Sequence, residues 1–383
     1  MDFSESTETT DLRAAVGALT DRFGGEYYAR KAEAREPTTE FWRALGAHGY
    51  IGINIPETYG GGGAGLAELA VVCEESAAHG CPLLLLLVSS AVSGELIATY
   101  GSDEQRKTWL PRMATGEGKV VFAITEPDAG SNTHRLATTA RRDGSHYVLR
   151  GQKHYISGVD EADAILVVAR TGTDDRGQAR LSLFLVDTDA PGLVAQPLPV
   201  SVALPERQFT VYLDDVRVDT DRLIGSEGGG LRQVFHGLNP ERISGAALGV
   251  GIGRYALTKA SGYASNRVVW DQPIGAHQGL AHALAAAKID VELAALMTAR
   301  AAWLHDNGKP AGEAANMAKF AAAEAALAAV DAAIQSHGGN GVATEYGLIP
   351  LWGLARLLRI APVNREMILN YVAQHSLGLP RSY

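Results

Sequence analysis

Val120-Val-Phe-Ala-Ile-Thr-Glu-Pro-Asp-Ala-Gly-Ser-Asn132 is where the chain changes character. Before it, apolar residues recur at helical spacing. Leu12, Val16 and Leu19 share one face, and Phe41, Leu45 and His48 share another. Leu66–Ala78 is again periodic, Gly60–Gly63 reads as a loop between helices, and Asp103–Ala114 reads as a short helix capped by Ser102 or Asp103. After Lys119 short β-rich runs follow one another: Val120–Ile124, Tyr147–Arg150, Ala164–Ala169, Leu181–Val186 and Phe209–Leu213. Turn signals at Asp143-Gly144, Thr171–Gly177 and Ala190-Pro191-Gly192 separate them, and nothing helical intervenes. An antiparallel sheet or small barrel therefore fits better than βαβ units. From Gly228 onward the texture is helical again. The alanine-rich Ala314–Gln335 stops at His337-Gly338-Gly339, where glycine suits a C-cap. The expected class is α+β: a helical domain over 1–120, a central β domain over 121–227 and a helical bundle-like domain over 228–383.

Composition narrows the function. A chain of 383 residues suits about two or three domains at roughly 100–200 residues each, and 46% hydrophobic residues supply ample core. The net charge of −9, with no Lys/Arg run, argues against a nucleic-acid partner. Leu83–Val88 is the most apolar stretch, far short of the ~18 residues of a membrane span. The acidic N-terminus does not look like a targeting segment, so a cytoplasmic location is expected. Cys73 and Cys81 cannot build a disulfide framework, and the 11 histidines include no HExxH, so no metal is expected. Gly249–Gly253 (GVGIG) does not complete a dinucleotide fingerprint and follows no strand, so close helix packing is the better reading. The absence of G-x-S-x-G weakens a serine-hydrolase reading.

The segment that opens this section ends a strand in a turn. Pro127, Gly130 and Ser131 leave backbone N–H groups free there, and the Thr125 and Ser131 hydroxyls can face a ligand. An ordinary turn would look much the same. Three further segments accompany it: Gly151-Gln-Lys-His-Tyr-Ile-Ser-Gly158; Tyr263-Ala-Ser-Asn-Arg267 with Gln272-Pro-Ile-Gly275 and Gln278; and Gln335-Ser-His-Gly-Gly-Asn-Gly341. Together, in this order across helices, strands and helices, they resemble the acyl-CoA dehydrogenase family from about Phe41 to the C-terminus. Leu45–Gly61 is also typical of that family.

The resemblance implies FAD between the β domain and the bundle. Phe122, Ile124, Thr125 and Ser131 would line the flavin ring and pyrophosphate, with Ser131 also near substrate. Tyr155 takes the place of a tryptophan against the flavin face, unless it is a packed core aromatic, and Ser157 that of a threonine at the N5–O4 edge. Arg267, otherwise a surface charge, would reach the pyrophosphate of a neighbouring subunit's FAD. Gln278, Gln335, Gly338 and Gly339 would complete the adenosine side, and Trp270 and Asn364 are further cofactor candidates. Trp270-Asp271 replaces the family's Phe-Gly, which brings an acid near the cofactor phosphates.

The family reaction needs a carboxylate at the carbon α to a thioester and a polarised thioester carbonyl. The commoner family position for this base falls on Pro362, which has neither a carboxylate nor an N–H for the carbonyl. One lost oxyanion-type donor costs on the order of 10²–10³ in rate. In the isovaleryl- and long-chain-type branches the base lies on another helix, and that position here is Glu241 in Gly237-Leu-Asn-Pro-Glu-Arg242. Arg242 and Asn239 match contacts to the CoA portion. The competing reading makes Asn239 an N-cap with Pro240 at N1 and Glu241 a first-turn acid. Cys81–Val88 with Ser89 and Ser90 is either acyl-pocket lining or core helix.

The expected function is FAD-dependent dehydrogenation of an acyl thioester to its trans-2-enoyl product. Glu241 would be the base, an electron-transfer flavoprotein the electron acceptor, and the enzyme a homotetramer or homodimer. The rivals are a flavin oxidase or monooxygenase on the same scaffold, and a relative that binds FAD or acyl-CoA without turnover.

Overall fold

The computed structural model describes residues 4–175 and 177–381. Met1–Phe3 of the acidic N-terminus and Arg176 of the expected Thr171–Gly177 turn lie outside the described residues. Helix α1 (Thr7–Asp21) begins at Ser6, whose hydroxyl accepts from the Thr9 N–H, and buries Val16 and Leu19. After α2 (Gly24–Ala34), α3 (Thr39–Ala47) buries Phe41 and Leu45. His48, expected on that face, is exposed, because the helix ends there and its Nδ1 pairs with the Ala44 carbonyl at 2.8 Å. α4 spans Leu66–Ala78, as the periodicity predicts. The apolar run continues into a π-helix over Leu86–Gly94, followed by α5 (Glu95–Tyr100) and α6 (Asp103–Thr115). α6 opens with a reciprocal cap between Ser102 and Gln105.

The central sheet holds β1 (Val120–Ala123), β2 (Thr139–Asp143), β3 (His146–Ser157), β4 (Ala164–Thr173), β5 (Ala179–Asp187), β6 (Leu193–Pro197), β7 (Gln208–Asp219) and β8 (Leu223–Ile224). Its order is β6-β7-β3-β2-β4-β5-β8, with β1 beside β4. The expectation of an antiparallel sheet is corrected at β4, which runs parallel to β1, from Val120 opposite Ala164 to Ala123 opposite Val167, and parallel to β2 where Thr139 lies opposite Arg170. The loop after β1 and the β2–β3 hairpin supply the long connection that a parallel pair requires.

Three long helices carry the C-terminal part: α7 (Gly230–Asn266), α8 (Gln278–Asp306) and α9 (Gly312–His337). A hairpin of β9 (Val268–Val269) and β10 (Gln272–Pro273) links the first two, and α10 (Leu348–Leu358) and α11 (Arg365–His375) follow. α9 stops at Gly338, whose φ of 59° suits glycine. The Gly249–Gly253 segment lies mid-helix and serves close packing. A Cβ on Gly249 would stand 3.1 Å from the Ala322 carbonyl oxygen of α9, and one on Gly253 2.7 Å from Val291 Cγ2 of α8. A Cβ on Gly251 would collide with the Glu74 carbonyl oxygen of α4. The layers also meet at Asp306, the last residue of α8, whose carboxylate accepts from the Leu66 and Ala67 N–H groups at 2.8 and 2.9 Å. It thereby caps α4 from across the interface.

Among the described residues no helix is long and apolar enough to cross a membrane, and no cluster of His, Cys, Asp or Glu suited to a metal ion is found. The packing predicts opposite effects for two glycines of α7. Gly251→Ala is expected to destabilise by about 1–3 kcal/mol through overpacking. Gly262→Ala, with open space around it, is expected to stabilise by up to about 1 kcal/mol. Urea midpoints of the two variants check both signs.

Candidate active site

The loop after β1 is fixed by a buried ion pair. Lys153, 0% exposed on β3, places Nζ 2.8 Å from Glu126 Oε1. It also donates to the Ile124 carbonyl at 3.0 Å. Glu126 further accepts from the Ala137 and Thr138 N–H groups at 2.6 and 3.0 Å, and His154 N–H donates to the Thr125 carbonyl at 2.8 Å. Burial pushes the Glu126 carboxyl up, but Lys153 and its hydrogen bonds outweigh that and hold it below the usual range. Burial lowers Lys153 to about 8 against the pull of Glu126. Both residues lie inside the quoted motifs, yet sequence reasoning passed over them. The available signal was a lysine among the apolar, strand-forming residues of β3.

On this scaffold Phe122 is buried in β1, and Ile124 and Thr125 are half-buried. Tyr155 is no core aromatic. It is 59% exposed, with φ of 58°, at a register irregularity between Lys153 and Ile156. A left-handed tyrosine in a strand is strained, and here the strain turns a flat ring outward. Ser157 is half-buried, and its hydroxyl accepts from Gln208 Nε2 at 2.9 Å. Ser131 is exposed and accepts from Asn364 Nδ2 at 2.7 Å, while Asn364 Oδ1 caps α11 through the Met367 N–H at 2.8 Å. The β-domain loop and the bundle thus meet at two of the candidate residues.

The third component is α7, which runs through Pro240 without a break. Asn239 is therefore mid-helix, and its reading as an N-cap falls. Glu241 is half-buried, and desolvation raises its carboxyl to about 7 against the opposing pull of Arg242 and Lys319. One turn further along, a Cβ on Gly245 would sit 3.5 Å from Leu87 Cδ2 and 3.9 Å from Pro362 Cδ. Residues i and i+4 share a helix face, so the Glu241 side of α7 borders both the π-helical segment and the Pro362 position. Leu83–Leu87 is packed in the core, and Leu87 also borders this face. Arg242 Nη1 donates to Asn239 Oδ1 at 3.0 Å, while Arg242 Nε is buried and has no hydrogen-bond partner among the described residues. Lys319 of α9, 2% exposed, donates to the Val363 carbonyl at 2.5 Å. It too went unread in the sequence, because a lone lysine in an alanine-rich helix looks like a solvated face.

The remaining candidates gather at the other end of the bundle, where α7 and α9 end and α8 begins. Arg267, Gln278, Gln335, Gly338 and Gly339 are all exposed there. Tyr263 stacks on His337 at 4.2 Å and its hydroxyl accepts from Asn340 Nδ2 at 3.1 Å, which ties these helix ends together. Trp270 and Asp271 form the tip of the β9–β10 hairpin with φ of 52° and 65°. Both central residues of a two-residue turn then have positive φ. Trp270 is 84% exposed, edge-on to His277. Glu241 and Arg267 are 26 residues apart along α7, about 39 Å at 1.5 Å per residue.

Lys153→Met is expected to cost about 3–5 kcal/mol, since it strands a buried carboxylate. Adding Glu126→Gln should return part of that loss, and a double-mutant cycle followed by urea denaturation measures it.

Three family models match the chain: the acyl-CoA dehydrogenase N-terminal domain over residues 6–117, the middle domain over 121–216 and the C-terminal domain over 228–377. The acyl-CoA dehydrogenase FadE12 of Mycobacterium tuberculosis is 56% identical over 383 residues, covering 100% of this chain and 99% of that protein. The glutaryl-coenzyme A dehydrogenase in complex with glutaryl-CoA superposes with a TM-score of 0.94 at 30% identity, over 100% of this chain and 98% of that one. The glutaryl-CoA dehydrogenase of Mycobacterium smegmatis in complex with FADH2 gives 0.92 at 26% identity, over 99% and 96%. The helical, β and helical parts described above follow the order of those three models, and the chain belongs to the acyl-CoA dehydrogenase family.

Proposed function

We propose that this protein dehydrogenates an acyl-CoA, or a related acyl thioester, between its α and β carbons. The observation that carries the reading is Glu241: a half-buried carboxylate with a raised pKa, acted on by Arg242 and Lys319, on the helix face whose Gly245, one turn on, lies beside Leu87 and Pro362. Near neutrality such a group is a base poised at its working pH.

The residues present fit FAD. The exposed Tyr155 ring and the hydroxyls of Thr125, Ser131 and Ser157 would supply its aromatic and hydrogen-bonding contacts, and Ser131 is tied to Asn364 of the C-terminal part at 2.7 Å. Phe122 and Ile124 would back the ring system. When bound, FAD supplies the acceptor for a hydride from the β carbon. Everything else falls to the chain. Glu241 takes the α proton. Arg242, with an unsatisfied buried Nε, and Asn239 hold the polar portion of the thioester. Leu87 and Gly245, which stand side by side, would border the acyl chain. Pro362 offers no N–H to the thioester carbonyl.

The roughly 39 Å along α7 from Glu241 to Arg267 exceeds the reach of one dinucleotide. Arg267, Gln278, Gln335, Gly338 and Gly339, with Trp270 beside them, therefore serve the adenosine side of a neighbouring subunit's cofactor. Ile289, Leu293, Leu296 and Trp303, exposed along one face of α8, supply an apolar surface for such an oligomer. Homotetramer or homodimer fits this arrangement, and an electron-transfer flavoprotein is the expected acceptor. We also divide the chain into functional domains at 120/121 and 227/228.

Glu241→Gln should keep bound FAD but lose on the order of 10²–10⁴ in the rate of anaerobic bleaching by acyl-CoA. Normal bleaching by that variant removes Glu241 from the mechanism. Tight acyl-CoA binding without bleaching by the unmodified protein supports instead a binding-only relative, the reading that Pro362 favours. In the active protein the base must be ionised, so kcat/KM should climb about tenfold per pH unit on the acid side and level off above pH about 7. A pH profile of flavin reduction checks this limb.

A further inference from the structure

We propose that Lys319 is a positioning residue: its single ammonium anchors the Pro362–Asn364 strap and sets the charge around Glu241. The inference rests on the function proposed above and adds to it a residue that would touch neither substrate nor cofactor.

Three observations lead there. Lys319 is 2% exposed, and a buried ammonium is costly unless its donors are used. The Val363 carbonyl takes one of them at 2.5 Å. Val363 directly follows Pro362, which borders the Glu241 face of α7 through Gly245. The strap is held on its other side by Asn364, through Ser131 and the Met367 N–H. Without Lys319 the strap keeps that second anchor and loses the one beside the base.

The charges facing this centre come from three helices. α7 gives Glu241 and Arg242, α9 gives Glu324, and α11 gives Glu366 and, toward Arg242, Tyr371. Arg359 and Arg365 share Glu324 at 2.8 and 3.0 Å, so that carboxylate is already neutralised. Glu241 makes no ion pair within hydrogen-bond reach among the described residues, so Arg242 and Lys319 act on it through space. Removing either cation leaves its proton more tightly held. Arg242 is committed to Asn239 and the thioester side, whereas Lys319 joins the base to the strap.

The test uses purified FAD-loaded protein and needs no turnover. The Glu241 carboxyl is titrated by infrared difference spectroscopy, its band assigned with Glu241→Gln. Amide hydrogen exchange of the 358–370 segment is followed in parallel. In Lys319→Met the Glu241 midpoint should rise by about one pH unit, the low end of what a nearby opposite charge contributes, and the 358–370 amides should exchange faster. Lys319→Gln keeps a donor for Val363 but no charge, so it should raise the midpoint while the segment stays protected. Lys319→Arg should return both readouts to the parent values. An unmoved or lowered midpoint in Lys319→Met overturns the proposal. So does faster exchange with an unmoved midpoint, which would leave Lys319 a structural anchor only. If the methionine variant does not fold, the glutamine and arginine variants decide it alone, through the midpoint and its rescue. Anaerobic bleaching of the parent protein by butyryl-, octanoyl- and isovaleryl-CoA, run beside it, judges the dehydrogenase reading separately.

Discussion

The continuity of α7 is the constraint from which the rest of the molecule follows. Proline inside a helix removes an amide donor and crowds the preceding turn, yet α7 passes through Pro240 and continues to Asn266. What sustains it is the closeness of its neighbours. Glycines at 251 and 253 bring α4 and α8 closer to its backbone than a Cβ would allow without a shift, and Gly249 lets α9 approach tightly. A helix held this tightly acts as a rigid ruler. It carries Glu241 toward one end and leads to Arg267 just past the other, and it holds the two groups of candidate residues far apart.

Two buried lysines serve that ruler in the same manner. Lys153 spends a hydrogen bond on the Ile124 carbonyl, and Lys319 spends one on the Val363 carbonyl. In each case a charge on a regular element clamps the backbone of an irregular segment that borders the candidate site. Lys153 also has a close carboxylate partner in Glu126, which makes its clamp mainly structural. Among the described residues Lys319 has no such close carboxylate partner, and its field is left to act on Glu241. The same device yields stability in one place and electrostatic tuning in the other.

Local signals were legible in the sequence and non-local ones were not. Leu66–Ala78 and the Ser102-capped helix carry their periodicity and caps within a dozen residues, and the structure returns them nearly unchanged. β2 (Thr139–Asp143) is largely polar, and β6 and β8 are short, so only their neighbours make them strands. The parallel pairing of β1 with β4 depends on a path between distant segments that no window of sequence contains. In the site, the segments carrying Glu241, Ser131 and Asn364 were readable as a family pattern. Lys153 and Lys319 were not, since a lysine declares its burial only through the partners that surround it. Trp270-Asp271 hid its turn because neither residue is the glycine or asparagine that such a geometry favours.

Asp306 carries a consequence beyond its local bonds. The amides it accepts belong to a helix some 240 positions earlier in the chain, so the first layer to emerge during synthesis has an incomplete helix start until the bundle is made. The N-terminal layer is thus finished by the C-terminal one. Detaching it exposes two donors of α4 and an acid at the end of α8 at the same moment. Such reciprocity couples the melting of the two layers, and it makes the isolated N-terminal fragment a poorer folding unit than its length and hydrophobic content suggest.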